Sequence, residues 1–414
     1  MKKLLPTLLL SMALVAMGAW SVFSTRRAAL AEHTLNETYL AALGESAELM
    51  ESLSLAMEKA LLSRDAAQTA ALLSQIGRDA GDVRRALAFL PLDGDVIAPA
   101  MALAERIAEG TAPWLTDLVD DGILSDASRE ALSALLAECT LLSGEMSVAR
   151  QEVLSGSRSL TDAPAATPAE TSRVLTQLPT AKGLPQTEVN VGQAMTLARA
   201  FIGDDRVTSL DEAPNLLGPI AAWGVAVGTA DVTLNVYVTQ IGGKVLLMAP
   251  ETASFAELLS VDACRAAADE FLASRGFAAM ESEYHQVYDG LCVLQYVYVQ
   301  DGVAVYPDRL SVQVRMDTGE IVGLEASAYW QNHTPRRIAS PTLTVEEART
   351  RLAPDAVEQD ARLCLLPEDG REILCWEFTV AWNGEPFLIY IDAHSGREVA
   401  LQKLILLENG VMAA

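Results

Sequence analysis

Basic side chains are scarce in this sequence, and the shortage narrows the functions it can serve. Its 30 lysines and arginines stand against 55 aspartates and glutamates, which gives a formal net charge of −25. Nucleic-acid-binding proteins draw much of their affinity from cations that neutralise phosphates. The balance therefore argues against nucleic acid as a partner, and also against adsorption to anionic lipid. We expect that the acidic residues simply form a solvated surface. The more specific alternative is that they face a basic partner or lie in polyanionic cell-wall surroundings.

Cysteine and histidine are also sparse. The five cysteines form no Cys-x-x-Cys pair, and the four histidines are scattered along the chain without a His-Glu-x-x-His pattern. Structural and catalytic zinc sites need such clusters of ligands at short spacing. The sequence therefore predicts no metal site, and it contains no pattern that would hold a cofactor.

Catalytic motifs are missing as well. The sequence has no Gly-x-Ser-x-Gly elbow, no P-loop and no dinucleotide-binding glycine pattern. A glycosidase needs two carboxylates that face each other across a cleft. The nearest candidates are the adjacent pairs Asp120-Asp121 and Asp204-Asp205, which we interpret as solvated charge in turns. We predict no catalytic residue and expect that the protein is not an enzyme.

A membrane segment is predicted at the N-terminus. Lys2 and Lys3 precede an uncharged run from Leu4 to Phe23, and Arg26 and Arg27 follow it. A helix of this length matches the hydrocarbon core of a bilayer, about 30 Å thick. We interpret residues 1–27 as an uncleaved signal anchor with the acidic bulk outside the cytoplasm. The alternative is a signal peptide cleaved near Ala29-Leu30-Ala31.

Residues 28–158 are predicted to be helical. Apolar residues recur every three or four positions, which is typical of amphipathic helices in an antiparallel bundle. We expect Thr111 to cap a short helix that contains Pro113 and Trp114, and Ser125 to cap the last helix. Cys139 lies on the apolar stripe and is interpreted as a core residue. Part of the stripe could instead form an intermolecular coiled coil.

The remainder of the chain contains an internal repeat. Residues 159–187 are rich in Ser, Thr, Ala and Pro and predict a linker. A short helix followed by strands then occurs three times, in residues 188–252, 258–335 and 340–407. The helices are predicted to start at Val191, Val261 and Val345, and the units end in hairpins with glycines spaced 76 and 77 residues apart, at Gly243, Gly319 and Gly396. The fold class is therefore α+β: an antiparallel helical bundle followed by three modules, each with a helix packed on an antiparallel sheet.

The third module permits an inference about two cysteines. A hairpin centred on Asp369-Gly370 places Cys364 opposite Cys375 on one face of the sheet. A two-residue loop would make this a hydrogen-bonded pair, with the wider Cα separation. We favour two reduced core cysteines, with a disulfide between Cys364 and Cys375 as the alternative in an oxidising compartment.

One stretch carries a family resemblance. Residues 306–329 contain the hairpin sequence Asp317-Thr-Gly-Glu-Ile-Val-Gly323, and Trp330-Gln-Asn-His333 follows. Together with the N-terminal anchor and the acidic helical domain, they resemble the spore germination protein family YpeB, and the three modules resemble PepSY domains. The resemblance is most specific across about residues 300–335 and extends in architecture over nearly the whole chain.

The resemblance implies a role in endospore germination. YpeB-like proteins are required for the function or stability of the cortex-lytic enzyme SleB, a peptidoglycan lytic transglycosylase, and are themselves not known as enzymes. It thus implies a SleB-like partner and anchoring in the spore inner membrane. The oligomeric state is not indicated. Two alternatives are a PepSY-type inhibitor or chaperone of another secreted enzyme, and a wall hydrolase with an unrecognised site.

Trp330 and His333 are the candidate site for partner contact. Exposed Trp and His side chains provide contact area and hydrogen bonds at protein interfaces. The competing interpretation, which we favour, is a structural segment that follows the hairpin.

Overall fold

The computed structural model describes residues 40–88, 90, 96–154, 181–251, 254–368, 370–407 and 409–413. The predicted anchor at 1–27, the alternative cleavage site and most of the linker lie outside these residues. The chain divides into two compact units between Ser172 and Arg173. The first is helical and the second is built on a large sheet, so the α+β fold class is confirmed.

The described residues of the first unit contain four helices: α1 (40–62), α2 (Ala66–Leu87), α3 (Ile97–Asp121) and α4 (Asp126–Leu154). Two of their starts follow from side chains that satisfy free N–H groups at a helix terminus. The Asp65 carboxylate accepts a hydrogen bond from the Gln68 N–H at 2.9 Å. The Ser125 hydroxyl accepts one from the Ser128 N–H at 3.2 Å, so the predicted cap of the last helix is confirmed.

The predicted short helix starting at Thr111 is wrong. Helix α3 runs without interruption through Pro113. A proline in a helix leaves a carbonyl without its donor and usually kinks or ends the helix. Pro113 leaves the Glu109 carbonyl without its backbone donor, and in the same turn the Trp114 ring is buried against Gly110. We attribute the continuity of the helix across the proline to this packing of Trp114.

The bundle core is apolar and contains Cys139, as predicted. Its thiol is fully buried and donates to the Met50 carbonyl at 3.5 Å. Burial raises the pKa of the Cys139 thiol to about 11, which keeps it protonated and unreactive. Leu53, Met57 and Ile76 are also fully buried in this unit.

Helix α4 is apolar on two faces. Leu132, Leu142 and Met146 lie in the core, while Leu141 and Val148 on another face are 64% and 59% exposed. Because of this composition, residues Asp126–Glu152 form the one helix in the described part of the chain that is long and apolar enough to cross a membrane. Helices that pack one face into a protein core reach the same length and apolar content.

The second unit repeats one pattern three times: a helix followed by four antiparallel strands. Module one contains α5 (Val191–Ile202) and β1 to β4 (Ser209–Leu216, Ala222–Gly228, Thr233–Thr239, Val245–Pro250). Module two contains α6 (Val261–Ser274) and β5 to β8 (Met280–Tyr288, Leu291–Gln300, Val303–Arg315, Ile321–Glu325), and then the short helix α7 (Ser327–Asn332). Module three contains α8 (Val345–Arg349) and β9 to β12 (Val357–Glu368, Arg371–Trp382, Glu385–Asp392, Glu398–Leu407), followed by β13 (Gly410–Ala413).

The predicted helix starts and hairpins are confirmed. Asn190, Ser260 and Thr344 each accept a backbone N–H at the start of α5, α6 and α8. The three repeat glycines all have positive φ, from 60° to 82°, a conformation that glycine adopts without steric cost.

The strands of all three modules belong to one sheet. Modules one and two join where β4 pairs with β8. Modules two and three join twice: β7 pairs in parallel with β9, and β13 pairs with β5. As a result, β5, β6, β7, β9, β10, β11, β12 and β13 form a closed ring of eight strands.

An apolar cluster fills the inside of this ring. Seven of the eight strands contribute to it, among them β7 with Tyr306, β9 with Cys364 and β11 with Tyr390. Helices α5 and α6 pack on the outer face of the sheet, where Ala194, Ala198, Cys264 and Ala268 are fully buried. Small residues on these helices allow close approach to the strands.

Candidate functional site

The stretch with the most specific family resemblance begins at an irregularity in β7. Val297 of β6 pairs with Arg309, but the next residue, Tyr298, pairs with Val305. Residues 306–308 therefore have no partner on β6 and form a bulge, which redirects side chains along a strand. Tyr306 and Asp308 consequently reach two different polar clusters.

Asp308 is the centre of the first cluster. Its carboxylate is fully buried and accepts two hydrogen bonds from the Arg336 guanidinium, both at 2.7 Å. Arg336 also donates to the Glu372 carboxylate at 2.8 and 2.7 Å. Burial by itself lowers the pKa of Arg336, but Glu372 and Asp308 outweigh it and leave that pKa above its ordinary value. The cluster ties module two to module three through the segment that connects them.

His333 belongs to the same cluster. Its Nδ1 lies 2.7 Å from the Asp308 carboxylate, and its ring stacks on Tyr329 with centroids 4.2 Å apart. The Tyr298 ring meets it edge-on at 4.7 Å. Less than a quarter of the side chain, 23%, is exposed. Most of the imidazole surface is thus buried against Asp308, Tyr329 and Tyr298.

Trp330 lies one helical turn earlier and contacts module one. Its indole N–H donates to the Val245 carbonyl at 2.9 Å, and its own carbonyl accepts the Gly183 N–H at 2.9 Å. A side chain at Gly183 would approach that carbonyl to 2.8 Å, so glycine is required there. The ring packs against Phe277 and under the Lys244 ammonium, 5.4 Å from each.

Trp330 and His333 are therefore joined through Tyr329, whose ring contacts both. Each has defined contacts within the described part of the fold, as the structural interpretation of this segment expects. Partner contact through their remaining surface stays a prediction.

Tyr306 belongs to the second cluster, which lies inside the ring. Its hydroxyl donates to the Glu377 carboxylate at 2.5 Å and lies 3.1 Å from that of Glu283. Arg362 donates to Glu377 at 2.8 Å, to the Tyr306 oxygen at 2.7 Å and also to Glu283. Burial raises the pKa of Glu377, and Arg362 and Tyr306 oppose the rise.

This cluster was not predicted from the sequence, although the register of one hairpin specifies half of it. The register that pairs Cys364 with Cys375 also pairs Arg362 with Glu377, two residues along each strand. Glu283 and Tyr306 come from strands of another module, and no local pattern connects them with this hairpin.

The hairpin register of the two cysteines agrees with the prediction. Cys364 lies opposite Cys375, and pairing of Glu368 with Arg371 leaves two residues in the loop. That loop length makes the cysteines a hydrogen-bonded pair. Both thiols are buried and free, and burial raises the pKa of Cys375 to about 12. Two reduced thiols stay the prediction, with the disulfide as the alternative.

The acidic pairs expected in turns have different surroundings. Asp204 and Asp205 are exposed in a turn, as predicted. Asp120 and Asp121 instead end helix α3, so their assignment to a turn is wrong; the Gly122 that follows has a φ of 73° and terminates the helix. No group of three or more potential metal ligands occurs among the described residues.

Each cluster thus pairs one arginine with two carboxylates. Glu283 and Glu377 approach a common point as glycosidase carboxylates do, but each is only 5% exposed and both are bound by Arg362. Through Arg362, these carboxylates connect strands from different modules.

Family models and curated proteins similar to this chain all carry the name YpeB. The family model described as YpeB N-terminal matches residues 27–162, and the model described as YpeB sporulation, PepSY1 and PepSY2 domains, matches residues 157–339. The chain is similar to proteins named Sporulation protein YpeB in three organisms. It is 36% identical over 167 residues to that of Halalkalibacterium halodurans, 34% over 138 residues to that of Oceanobacillus iheyensis and 33% over 137 residues to that of Bacillus subtilis.

These matches cover 40%, 33% and 32% of the chain and only 37%, 31% and 30% of the respective relatives. Among solved structures, the chain is similar to the Bacillus megaterium YpeB C-terminal domain, with 23% identity and a TM-score of 0.48. That likeness covers 53% of this chain and 99% of the solved one.

Proposed function

Because the chain belongs to the YpeB family of sporulation proteins, we propose that it is a non-enzymatic accessory protein of spore germination. It acts on a SleB-like cortex-lytic transglycosylase, which depends on it for stability, localisation or control. Hydrolysis of the spore cortex therefore requires it.

The observation that carries the proposal is the pairing of buried charged side chains with one another inside the fold. Asp308 is bound by Arg336, Arg315 by Asp317, and Glu377 by Arg362. A catalytic carboxylate has to face substrate and keep a pKa suited to proton transfer. Buried carboxylates that an arginine already occupies suit a scaffold that presents surfaces to another protein.

The proposed location is the spore inner membrane. Residues 1–27 anchor the chain, and the acidic units lie outside the cytoplasm, where the cortex is. A tether of this kind raises the effective concentration of a partner that works at the same membrane surface. The solvent-facing part of Trp330 and His333 is a proposed secondary contact.

Deletion of the gene in a spore former tests the proposal. We expect spores that release dipicolinate on exposure to germinants and then retain their cortex. An immunoblot for the cortex-lytic enzyme in the same spores separates loss of that enzyme from loss of its control. Normal cortex degradation in the deletion strain would contradict the accessory role.

A second candidate is an inhibitor or chaperone of another secreted enzyme, which the match to PepSY domains supports. Purification of the tagged full-length chain from sporulating cells distinguishes the two. Recovery of a peptidase in place of a cortex-lytic enzyme would favour the second. Turnover of cortex peptidoglycan by the chain itself, lost on substitution of a single carboxylate, would contradict both.

A further inference from the structure

Helix α4 presents an apolar stripe that the bundle does not use. Leu141 and Val148 are well exposed, and Ala137 and Gly144 between them are exposed as well. The steps from 137 to 141, 144 and 148 are four, three and four residues, which is the spacing of the a and d positions of a coiled coil. A Cβ added at Gly144 would meet nothing within 4 Å, so the surface in the middle of this seam is open.

The residues beside the seam carry one sign of charge. With Leu141 and Val148 at a positions, the e positions are occupied by Glu138, Glu145 and Glu152. The g positions on the other side of the seam are Ser133, Thr140 and Ser147. Charges at e and g positions decide which helix can pair and in which orientation. Glu138 also forms an ion pair with Arg106 of α3.

This pattern disfavours a second copy of the same chain. In an antiparallel pair of α4 helices, the e positions would face each other and bring glutamates together. In a parallel pair, glutamates would face Ser and Thr, which offer no opposite charge. A partner helix with Lys or Arg at its flanking positions would avoid repulsion between glutamates and would supply the opposite charge.

We propose that this seam of α4 is a docking surface for an amphipathic helix of a partner protein, with small apolar residues on its face and lysines or arginines along its edge. The inference rests on the proposed function, since it names the surface through which that partner is held. Residues 134–151 span about 26 Å, roughly two and a half heptads. A seam this short binds a partner helix only weakly. Tethering of both proteins at one membrane raises their effective concentration and so increases the bound fraction.

Two designed helical peptides test the seam. They have the same length and the same Leu/Ala face, and they carry either Lys or Glu at the flanking positions. Fluorescence anisotropy measures binding of each labelled peptide to the full-length chain in zwitterionic nanodiscs. We expect the Lys peptide to bind about tenfold more tightly than the Glu peptide. We also expect Leu141→Glu to abolish binding and Glu145→Lys to reduce the preference.

Val119→Glu is the matched control, because Val119 is an apolar residue of α3 that is 83% exposed and lies outside the seam. Equal binding of both peptides, or equal loss with Val119→Glu, would overturn the proposal. So would a dimer of the chain that Leu141→Glu dissociates in sedimentation. Protection of Leu141 from solvent by the phosphatidylcholine of the nanodisc, without any peptide present, would assign the seam to lipid and overturn the proposal too.

Co-purification with the cortex-lytic enzyme separates this inference from the proposed function. If wild type and Leu141→Glu recover the enzyme equally, the docking surface is refuted and the accessory role stands. If the Lys peptide binds as expected but wild type recovers no enzyme, the accessory role fails and the docking surface stands.

Discussion

Arg362 of β9 lies directly opposite Glu377 of β10, and its Nε donates to the Glu377 carboxylate at 2.8 Å. The same guanidinium reaches Glu283 of module two. One guanidinium therefore pairs with two carboxylates from different modules inside the closed ring, and its removal takes that cation away from both.

Arg362→Met should destabilise the second unit by about 3 kcal/mol, the low end for breaking a buried ion pair. The low end applies because 32% of the Arg362 side chain is exposed. Urea unfolding followed by tryptophan fluorescence measures the change. Arg397→Met is the control, since its ion pair with Glu368 is at the surface and contributes below about 1 kcal/mol. Equal effects of the two substitutions would contradict the role given to Arg362.

The pKa of Glu377 predicts a pH dependence. Burial raises this pKa above 4.5, so the folded state holds the proton more tightly than the unfolded state does. The stabilisation that this proton provides is complete at pH values below 4.5, the unfolded-state pKa. It is lost as the pH rises through the folded-state pKa. Relative to Glu377→Gln, the wild type should therefore gain stability between neutral pH and about pH 5. Urea midpoints of both proteins at the two pH values test this, and a constant gap between them would disprove it.

Trp330→Phe should lower stability by about 1 kcal/mol, because the substitution removes the hydrogen bond to Val245 while it keeps an aromatic ring in place. Capture of the cortex-lytic enzyme should change little if the segment is structural. Unchanged stability with reduced capture would instead make Trp330 a contact residue. Both quantities are measured on the same purified variant.

Pro113→Ala should stabilise the helical unit by about 1 kcal/mol. Pro113 is exposed within the unbroken helix α3, and alanine restores a backbone N–H for the carbonyl four residues earlier. Thermal unfolding monitored by far-ultraviolet circular dichroism provides the measurement. Gly81→Ala on helix α2 is the reference, because a Cβ added there meets nothing within 4 Å. Its effect on stability measures an ordinary gain in helix propensity. A loss of stability would mean that packing of α3 requires a kink.

Cys364 and Cys375 should both be thiols in the purified protein, because both are buried and the side chains of a hydrogen-bonded strand pair lie farther apart than those of a non-hydrogen-bonded pair. Alkylation after unfolding, without a reducing agent, followed by peptide mass spectrometry counts them. Recovery of one cross-linked peptide that contains both residues would establish the disulfide instead.

Local features of the fold could be predicted because their causes are local. Val191, Val261 and Val345 begin helices since a capping side chain precedes each of them, and Gly319 marks a hairpin since its φ is positive. The core position of Cys139 followed from helical periodicity.

The features that were missed depend on distant contacts. Closure of the ring requires β7 to pair with β9 of the next module, and nothing within either strand specifies that partner. Continuity of α3 across Pro113 depends on the packing of Trp114. Of the candidate site, the Trp330–His333 segment was identified from the family resemblance, whereas Asp308 and Glu283 could not be connected with their partners before the bulge and the ring were known.

Closure of the ring makes the last two modules dependent on each other. Truncation of the chain after module two would remove β9 and β13, the module-three partners of β7 and β5, and leave unpaired backbone on both strands, which favours aggregation. A protease cut in the connecting segment 334–344 would have a milder effect, because two sets of strand pairings would still hold the fragments together. A shortened version of this protein meant for expression should therefore keep residues 258–413 intact.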